Sequence, residues 1–237
     1  MTPGRQDQLN RPRRRAVARR VDAEEIRHNA GHYSNMPSAT VRQPYSMRPI
    51  AQVVAGSMLV MAVLQAMPET FRVALRYDRT GIGAGEYWRI LSGHFVHLSW
   101  RHLVLNLTGL GLGAWLFGPD RSPLQWLLAT LVSALACGLG LWWFSPDVGW
   151  CVGLSGVLHG LMIVGFGGWI IGGDRRAWAF LGVVLAKLWW EQAGGDMPWA
   201  NTMAGGRVVT DAHLWGAAGG ALFLGVEAAW RHFRAWV

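Results

Sequence analysis

Hydrophobic residues in this chain are grouped into six long segments, which are separated by more polar connections. A helix that crosses a lipid bilayer needs ~20 predominantly apolar residues, and each segment is close to that length. The pattern therefore predicts six membrane-spanning helices, near residues 50–67, 97–117, 124–144, 152–171, 177–193 and 211–230. Residues 68–96 form an unusually long connection after the first helix, and long structured loops tend to carry function.

The amino-acid composition agrees with a membrane protein. Charged residues make up only 15% of the 237 positions, whereas a soluble domain carries about 25%. The chain also contains 31 glycines and 15 tryptophans, which are typical of membrane helices with aromatic belts and small-residue contacts. We therefore predict an all-α polytopic membrane protein, with a six-helix domain over residues 49–231, rather than a soluble enzyme.

Positive charge is concentrated at the N-terminus. Residues 1–48 hold ten arginines against four acidic residues and lack apolar periodicity, which predicts a disordered tail. A basic arm of this kind can bind nucleic acid. Alternatively, it can be a cytoplasmic tail that is attracted to anionic lipid. We favour the second interpretation, and we expect contact with the lipid bilayer and no nucleic-acid partner.

Arginines elsewhere favour the same orientation. Arg121, Arg175 and Arg176 lie in two short connections on the predicted side of the tail, and Arg231 and Arg234 follow the last helix. Because positive residues collect on the cytoplasmic side, residues 1–48 and the short C-terminus 232–237 are predicted to be cytoplasmic. The opposite ends of the helices then lie on the external side of the membrane.

Three clusters of polar residues interrupt the apolar pattern, each at the predicted external end of a helix. The second helix contains His102 and Asn106, the fourth contains Ser155, and the sixth contains His213. Polar groups inside a membrane are costly unless they pair, and they mark functional sites. Because the three clusters lie at one depth, the sequence predicts that they form a single site.

These residue types suit acyl transfer. His102 and Asn106 are four residues apart, so they share a helix face, and both can donate hydrogen bonds to an oxyanion. Serine is a weak nucleophile unless a base takes its proton, and His213 is the candidate base for Ser155. Small residues would let the fourth and sixth helices approach closely. The glycines expected to allow this packing are Gly153, Gly156, Gly160, Gly216 and Gly220.

Several of these features have other interpretations. A Gly-x-Ser-Gly sequence on an apolar helix can be a packing motif, and a histidine in a span can be a proton relay. His159, four residues after Ser155, is a rival base because its side chain leans back towards the serine. Asp211 is better explained as the N-cap of the sixth helix than as a third catalytic residue. We therefore expect a Ser–His dyad.

Lys187 and Glu191 are four residues apart on the fifth predicted helix, a spacing that allows an ion pair. Such a pair can lie near the outer interface, which we prefer, or belong to a transport path. The sequence has no HExxH motif, no CxxC pair and no pair of intramembrane aspartates. We therefore expect no metal ion, and metallo- and aspartyl-type mechanisms are disfavoured.

Four motifs occur in order within residues 50–230: Trp88-Arg89, His102-x-x-x-Asn106, Gly153-x-Ser155-Gly and His213-x-x-Gly216-x-x-x-Gly220. With these motifs the chain resembles the rhomboid family of intramembrane serine proteases. The resemblance implies a six-transmembrane-helix bundle without a cofactor. It also implies Ser155 as nucleophile, His213 as base, and His102 and Asn106 as oxyanion donors.

The Gly-Leu-Ser-Gly-Val-Leu-His-Gly sequence and the Asp-x-His start of the last helix are most similar to the rhombosortase branch of that family. This branch implies cleavage of C-terminal Gly-Gly-type sorting tails, each with a transmembrane segment, from exported proteins. The alternatives are a general rhomboid protease with other membrane substrates and a rhomboid-like protein that binds membrane segments without cleaving them. A small transporter that uses the histidines with Lys187 and Glu191 is a third alternative.

Overall fold

The computed structural model describes residues 45–194, 198–234 and 236. The tail predicted for residues 1–48 lies outside the described residues except for its last four positions. The elements are α1 (Met47–Ala66), α2 (Glu69–Leu75), β1 (Tyr77–Asp78), α3 (Arg79–Gly83), α4 (Arg89–Ser92), α5 (Trp100–Phe117), α6 (Pro123–Phe144), β2 (Trp150–Cys151), α7 (Ser155–Ile171), α8 (Ala177–Gln192), α9 (Pro198–Ala204) and α10 (Thr210–Arg234). Single 3₁₀ turns lie at Gly93–Phe95 and Gly118–Asp120.

Each of the six apolar segments contains one long helix, namely α1, α5, α6, α7, α8 and α10. The fold is mostly helical, with one addition to the predicted all-α bundle: β1 and β2 form a two-stranded antiparallel ribbon. Among the described residues, α1 and α6 are the helices long and apolar enough to cross a membrane by length and composition alone. The apolar helix α7 is shorter.

Local sequence determines where α6 begins. Ser122 and Gln125 form a capping box at the start of α6, in which each side chain accepts the backbone N–H of the other residue, and Pro123 occupies the first turn. The expectation that Asp211 caps the last helix is wrong. Because α10 begins at Thr210, Asp211 lies inside the first turn, where a carboxylate is stabilised by the helix dipole.

Helices α7 and α10 run parallel, and their backbones touch at glycine. A Cβ atom added to Gly216 would overlap the backbone of Gly156, and one added to Gly220 would overlap the backbone of Gly160. Residues without side chains let two helix backbones approach more closely than larger residues allow. The close contact fixes the register of α7 against α10 at the ends where both helices begin.

Arg79 holds the long connection of residues 68–96 against the helices. Its guanidinium donates hydrogen bonds to four backbone carbonyls at and beyond the end of α6, those of Leu141 (2.5 Å), Trp142 (3.0 Å), Ser145 (2.9 Å) and Val148 (3.2 Å). The ribbon provides a second attachment, with Tyr77 opposite Cys151 and Asp78 opposite Trp150. The segment that leads into α7 is therefore held by the connection between the first two long helices.

Asp78 caps α3 within this connection. Its carboxylate accepts the N–H of Gly81 at 3.1 Å and pairs with the Arg76 guanidinium at 2.9 Å. The hydrogen bond from Gly81, helped by Arg76 and opposed by partial burial, lowers the pKa of Asp78 below its usual value. The cap therefore remains charged in mildly acidic solution.

A largely buried ion pair links α7 and α10 at a distance from Ser155. Arg121 donates to Glu227 at 2.8 Å and to the carbonyl of Val164 at 3.1 Å. Glu227 also accepts hydrogen bonds from Gln125 (2.6 Å) and Arg231 (2.8 Å). Removal of either partner would leave an uncompensated charge. The cluster therefore stabilises the packing of α7 against α10 away from Ser155.

The glycine contact predicts a difference between two substitutions on α10. Gly220→Ala places a methyl group against the rigid backbone of Gly160, and overpacking of this kind typically costs about 1–3 kcal/mol. Gly225→Ala is the matched control, because a Cβ there meets no atom within 4 Å. We expect a lower melting temperature for Gly220→Ala in detergent and no loss for Gly225→Ala. Equal melting temperatures for the two variants would contradict the backbone contact.

Candidate active site

The N-terminal ends of α7 and α10 bring a serine and a histidine together. Ser155 is the first residue of α7, and His213 lies in the first turn of α10. The Oγ atom of Ser155 lies 2.9 Å from the Nε2 atom of His213. This distance is within the range for a nucleophile and its general base.

The other ring nitrogen of His213 contacts a carboxylate from a third helix. Nδ1 of His213 lies 3.0 Å from Oε2 and 3.1 Å from Oε1 of Glu191, near the end of α8. Lys187, one turn earlier, donates to Oε1 of Glu191 at 2.5 Å. The expected Lys187–Glu191 pair is therefore present, but its contact with His213 was missed. The spacing of four residues predicts that Lys187 and Glu191 contact each other. It does not predict a contact with a histidine on another helix.

His159 lies behind His213 rather than beside the serine hydroxyl. The two imidazole rings stack with centroids 4.2 Å apart and an angle of 20° between their planes. Nδ1 of His159 lies 2.8 Å from the carbonyl oxygen of Ser155, and Nε2 lies 3.0 Å from Nζ of Lys187. Because both ring nitrogens of His159 have other partners, His213 is the better-placed base for Ser155.

Gly153 brings the chain close to His102 and Asn106 just before Ser155. It has φ +110°, and an added Cβ would lie 2.6 Å from the His102 ring and 3.6 Å from Nδ2 of Asn106. The N–H of Gly153 donates to the carbonyl of Gly93 at 3.0 Å. The structure thus gathers all four predicted polar residues around the turn that leads into α7.

Hydrogen bonds orient both side chains of α5. Ser99 caps this helix by accepting the N–H of His102 at 3.1 Å. Nδ1 of His102 accepts the N–H of Leu98 at 3.4 Å, so the ring proton of neutral His102 is on Nε2. Asn106 donates one amide hydrogen to the carbonyl of His102 at 3.0 Å and has a second to offer. Each side chain can therefore donate to a ligand.

A cavity of about 460 Å³ exposes these groups to a ligand. His102 and Ser155 line it, together with Leu98 and two segments of the chain, residues 147–153 and 207–212. Its volume falls within the range of small-molecule and cofactor pockets. A serine with a paired histidine and hydrogen-bond donors beside it can form and break an acyl bond.

The family model of the Rhomboid domain matches residues 84–229, more than half of the chain. The chain belongs to the rhomboid family. The prediction from the four sequence motifs is confirmed at this level. Rhomboid proteins are embedded in membranes, are generally intramembrane serine proteases, and act on membrane proteins within the bilayer. A search of curated proteins finds no match to this chain.

Three buried side chains of this rhomboid have the spacing of a metal site. The ligand atoms of His159, Glu191 and His213 all lie within 4.8 Å of one another. The ammonium group of Lys187 lies among them, 3.0 Å from His159, 2.5 Å from Glu191 and 3.5 Å from His213. The protein itself thus supplies a cation at the place where an ion would bind.

Cys151 also lines the cavity of this rhomboid, which raises the question of a second nucleophile. Burial raises the pKa of the Cys151 thiol to about 12. The thiolate, rather than the thiol, is the nucleophilic form. Cys151 therefore stays protonated at neutral pH, and Ser155 is the candidate nucleophile, with a histidine nitrogen within hydrogen-bond distance.

The turn before Ser155 predicts that Gly153 tolerates no side chain. Gly153→Ala combines a left-handed backbone with a clash against His102, and a non-glycine residue in that conformation costs about 1–3 kcal/mol. Gly113→Ala on α5 is the control, since a Cβ there also has open space and the residue does not line the cavity. We expect Gly153→Ala alone to lower the melting temperature and any proteolytic activity of the rhomboid. If both variants behave like the wild type, the constraint on this turn is absent.

Proposed function

We propose that this rhomboid is an intramembrane serine endopeptidase in which Ser155 is the nucleophile and His213 the general base. The observation that carries the proposal is the 2.9 Å contact between Ser155 Oγ and His213 Nε2, beside the cavity that Ser155 lines. Membership of a family whose members are generally intramembrane serine proteases supports the same reaction class.

Acylation begins when Nε2 of His213 takes the proton of the Ser155 hydroxyl. Oγ attacks the carbonyl carbon of the scissile peptide bond, and the carbonyl oxygen becomes an oxyanion. His213, now protonated, gives its proton to the leaving amine as the C–N bond breaks. The acyl group remains on Ser155 while the amine product departs.

The oxyanion receives hydrogen bonds from His102 and Asn106. Nε2–H of His102 and the second amide hydrogen of Asn106 are the donors left after their internal hydrogen bonds. The N–H of Ser155 at the start of α7 has no acceptor within that helix and completes the set. A donor of this kind is typically worth ~3–4 kcal/mol in the transition state.

Water completes the reaction by the same path. His213 removes a proton from a water molecule in the cavity, and the resulting hydroxide attacks the acyl carbon. The proton then passes from His213 to Oγ of Ser155, which restores the hydroxyl and releases the new carboxyl end of the substrate. The cycle consumes one water molecule and needs no cofactor.

We further propose that the six long helices all cross the bacterial inner membrane. The N-terminal tail and the residues after α10 are then cytoplasmic, as the distribution of arginines favours. Ser155, His213 and His102 lie near the beginnings of α7, α10 and α5, and this arrangement directs the cavity towards the periplasm. Water from that side supplies the hydrolytic step.

The proposed substrates are exported proteins with a C-terminal transmembrane segment preceded by a Gly-Gly-type tail. The sequence around Ser155 and the start of α10 support this rhombosortase-like choice. A helical peptide bond must unwind before it reaches Oγ, because its carbonyl is engaged in the helix. Glycine eases this unwinding because it loses the most conformational freedom in a helix.

Cleavage of a reporter protein tests the proposal. The reporter carries a Gly-Gly tail, an apolar helix and a basic stub, and is reconstituted with the enzyme in liposomes. We expect Ser155→Ala and His213→Ala to abolish cleavage. The matched controls are Ser57→Ala, since the Ser57 hydroxyl bonds its own helix, and His232→Ala near the end of α10. We expect both controls to cleave like the wild type.

Full cleavage by Ser155→Ala would refute the assignment of the nucleophile. A second reporter, in which leucines replace the Gly-Gly pair, tests the substrate class separately. Selective loss of cleavage of that reporter is the result expected for a rhombosortase-like enzyme. Equal cleavage of both reporters would make this chain a general rhomboid protease and leave the roles of Ser155 and His213 unchanged.

A further inference from the structure

Five groups from three helices form a closed ring of polar contacts beneath the cavity. The ring runs from Ser155 Oγ to His213, Glu191, Lys187 and His159, and returns to the carbonyl oxygen of Ser155. Its contacts span 2.5–3.1 Å. The ring connects both ends of one residue, the hydroxyl and the carbonyl of Ser155, to the same ion pair.

The chemistry of each partner fixes the proton positions around the ring. A carboxylate only accepts, so Nδ1 of His213 donates to Glu191, and Nε2 is left with the lone pair that faces Ser155. An ammonium only donates, so Nε2 of His159 accepts from Lys187, and Nδ1 of His159 donates to the carbonyl of Ser155. This assignment satisfies the five contacts of the ring with both histidines neutral. The 3.5 Å approach of Lys187 Nζ to Nδ1 of His213 is then not a hydrogen bond, because both atoms are donors.

Glu191 and Lys187 have opposite effects on the charge of His213. The Glu191 side chain is only 4% exposed, and a buried carboxylate beside an imidazole favours the protonated ring. The Lys187 ammonium lies 3.5 Å from Nδ1 of His213 and opposes that protonation. Since the two charges cancel, the pair can orient the ring without converting the base into its inactive, protonated form.

The other groups that face His213 carry no fixed charge in this assignment. The His159 ring of α7 stacks on the His213 ring with centroids 4.2 Å apart, and His102 of α5 lines the cavity with Ser155. Among the described residues, Glu191 and Lys187 of α8 are therefore the charged groups that approach the His213 ring. A change in either one has a predictable sign.

We propose that Glu191 and Lys187 are a charge-balanced pair of positioning residues for His213, so that the reactive unit is Ser155–His213–Glu191 with Lys187 as its counter-cation. The proposal rests on the proposed function of Ser155 and His213. It extends the expected Ser–His dyad by a positioning residue, Glu191 rather than Asp211. It also gives the Lys187–Glu191 pair, which was expected only to pair near the outer interface, a role beside the catalytic residues.

The pH dependence of kcat/KM for the Gly-Gly reporter, measured in detergent, tests the pair. Activity rises with pH as His213 loses its proton. Glu191→Gln removes the negative charge and disfavours imidazolium, so the acidic limb moves to lower pH. Lys187→Met removes the positive charge, so the limb moves to higher pH. In the double variant the charges balance again, and the limb returns towards the wild-type position.

The effect of Glu191 on the orientation of the His213 ring is measured by kcat. We expect Glu191→Gln to lower kcat by about 10²-fold or more, since loss of the carboxylate behind a catalytic histidine costs up to roughly 10⁴-fold elsewhere. Glu191→Asp keeps the charge and is expected to recover part of the loss. Lys187→Met retains the carboxylate that orients His213. We expect it to keep most of the wild-type kcat at pH values above the acidic limb of its profile.

Glu227→Gln is the matched control for loss of a buried carboxylate. Glu227 pairs with Arg121 and Arg231 at the far end of α10, so its loss is expected to lower the melting temperature without moving the pH profile. The proposal would be overturned if the acidic limb of the pH profile stayed at the wild-type position in both Glu191→Gln and Lys187→Met. If Glu191→Gln fails to fold, the position of this limb in Lys187→Met alone tests the proposal. Ser155→Ala separates this result from the proposed function, because its inactivity is expected whichever way the ion pair behaves.

Discussion

The contact on which the site depends is the glycine-lined approach of α7 and α10. At Gly156 and Gly216, and again at Gly160 and Gly220, the two backbones leave no room for a Cβ atom. Side chains as short as serine can meet an imidazole from another helix only when the helix axes are this close. The glycines therefore act on the chemistry indirectly, because they fix the distance across which a proton must move.

Burial of charge is the second constraint, and the structure meets it by pairing at both ends of α10. At one end Glu227 lies between two arginines, and at the other Glu191 lies between Lys187 and His213. A buried charge without a partner is strongly destabilising. The two clusters differ in what their partners can do: guanidinium groups hold their protons permanently, whereas an imidazole gains and loses one near neutral pH.

Much of this arrangement could be predicted from local sequence. Hydropathy predicted six long helices, because a run of apolar residues indicates a buried or membrane-embedded segment whatever the rest of the chain does. The spacing of Gly216 and Gly220 predicted a face of small residues on the last helix. Position along a helix does not report rotation about it relative to other helices. For that reason Glu191 was paired with Lys187, its neighbour in sequence, while its contact with His213 depends on how α8 packs against α10.

The β-ribbon and the start of α10 illustrate the same limit. Tyr77 and Cys151 are far apart in the chain, each strand has only two residues, and no alternating pattern of that length is distinguishable from a loop. Asp211 was expected to cap α10, but the helix begins at Thr210, one residue before it. These features depend on tertiary contacts that a single sequence does not encode locally.

The most direct measurement is the covalent reaction of the purified protein, in lipid nanodiscs, with a fluorophosphonate that traps activated serines. Peptide mapping by mass spectrometry then locates the adduct. The account predicts modification of Ser155 in the wild type and its loss when His213 is replaced by alanine. A folded wild-type protein in which Ser155 stays unmodified, or labelling that is indifferent to His213, would contradict it.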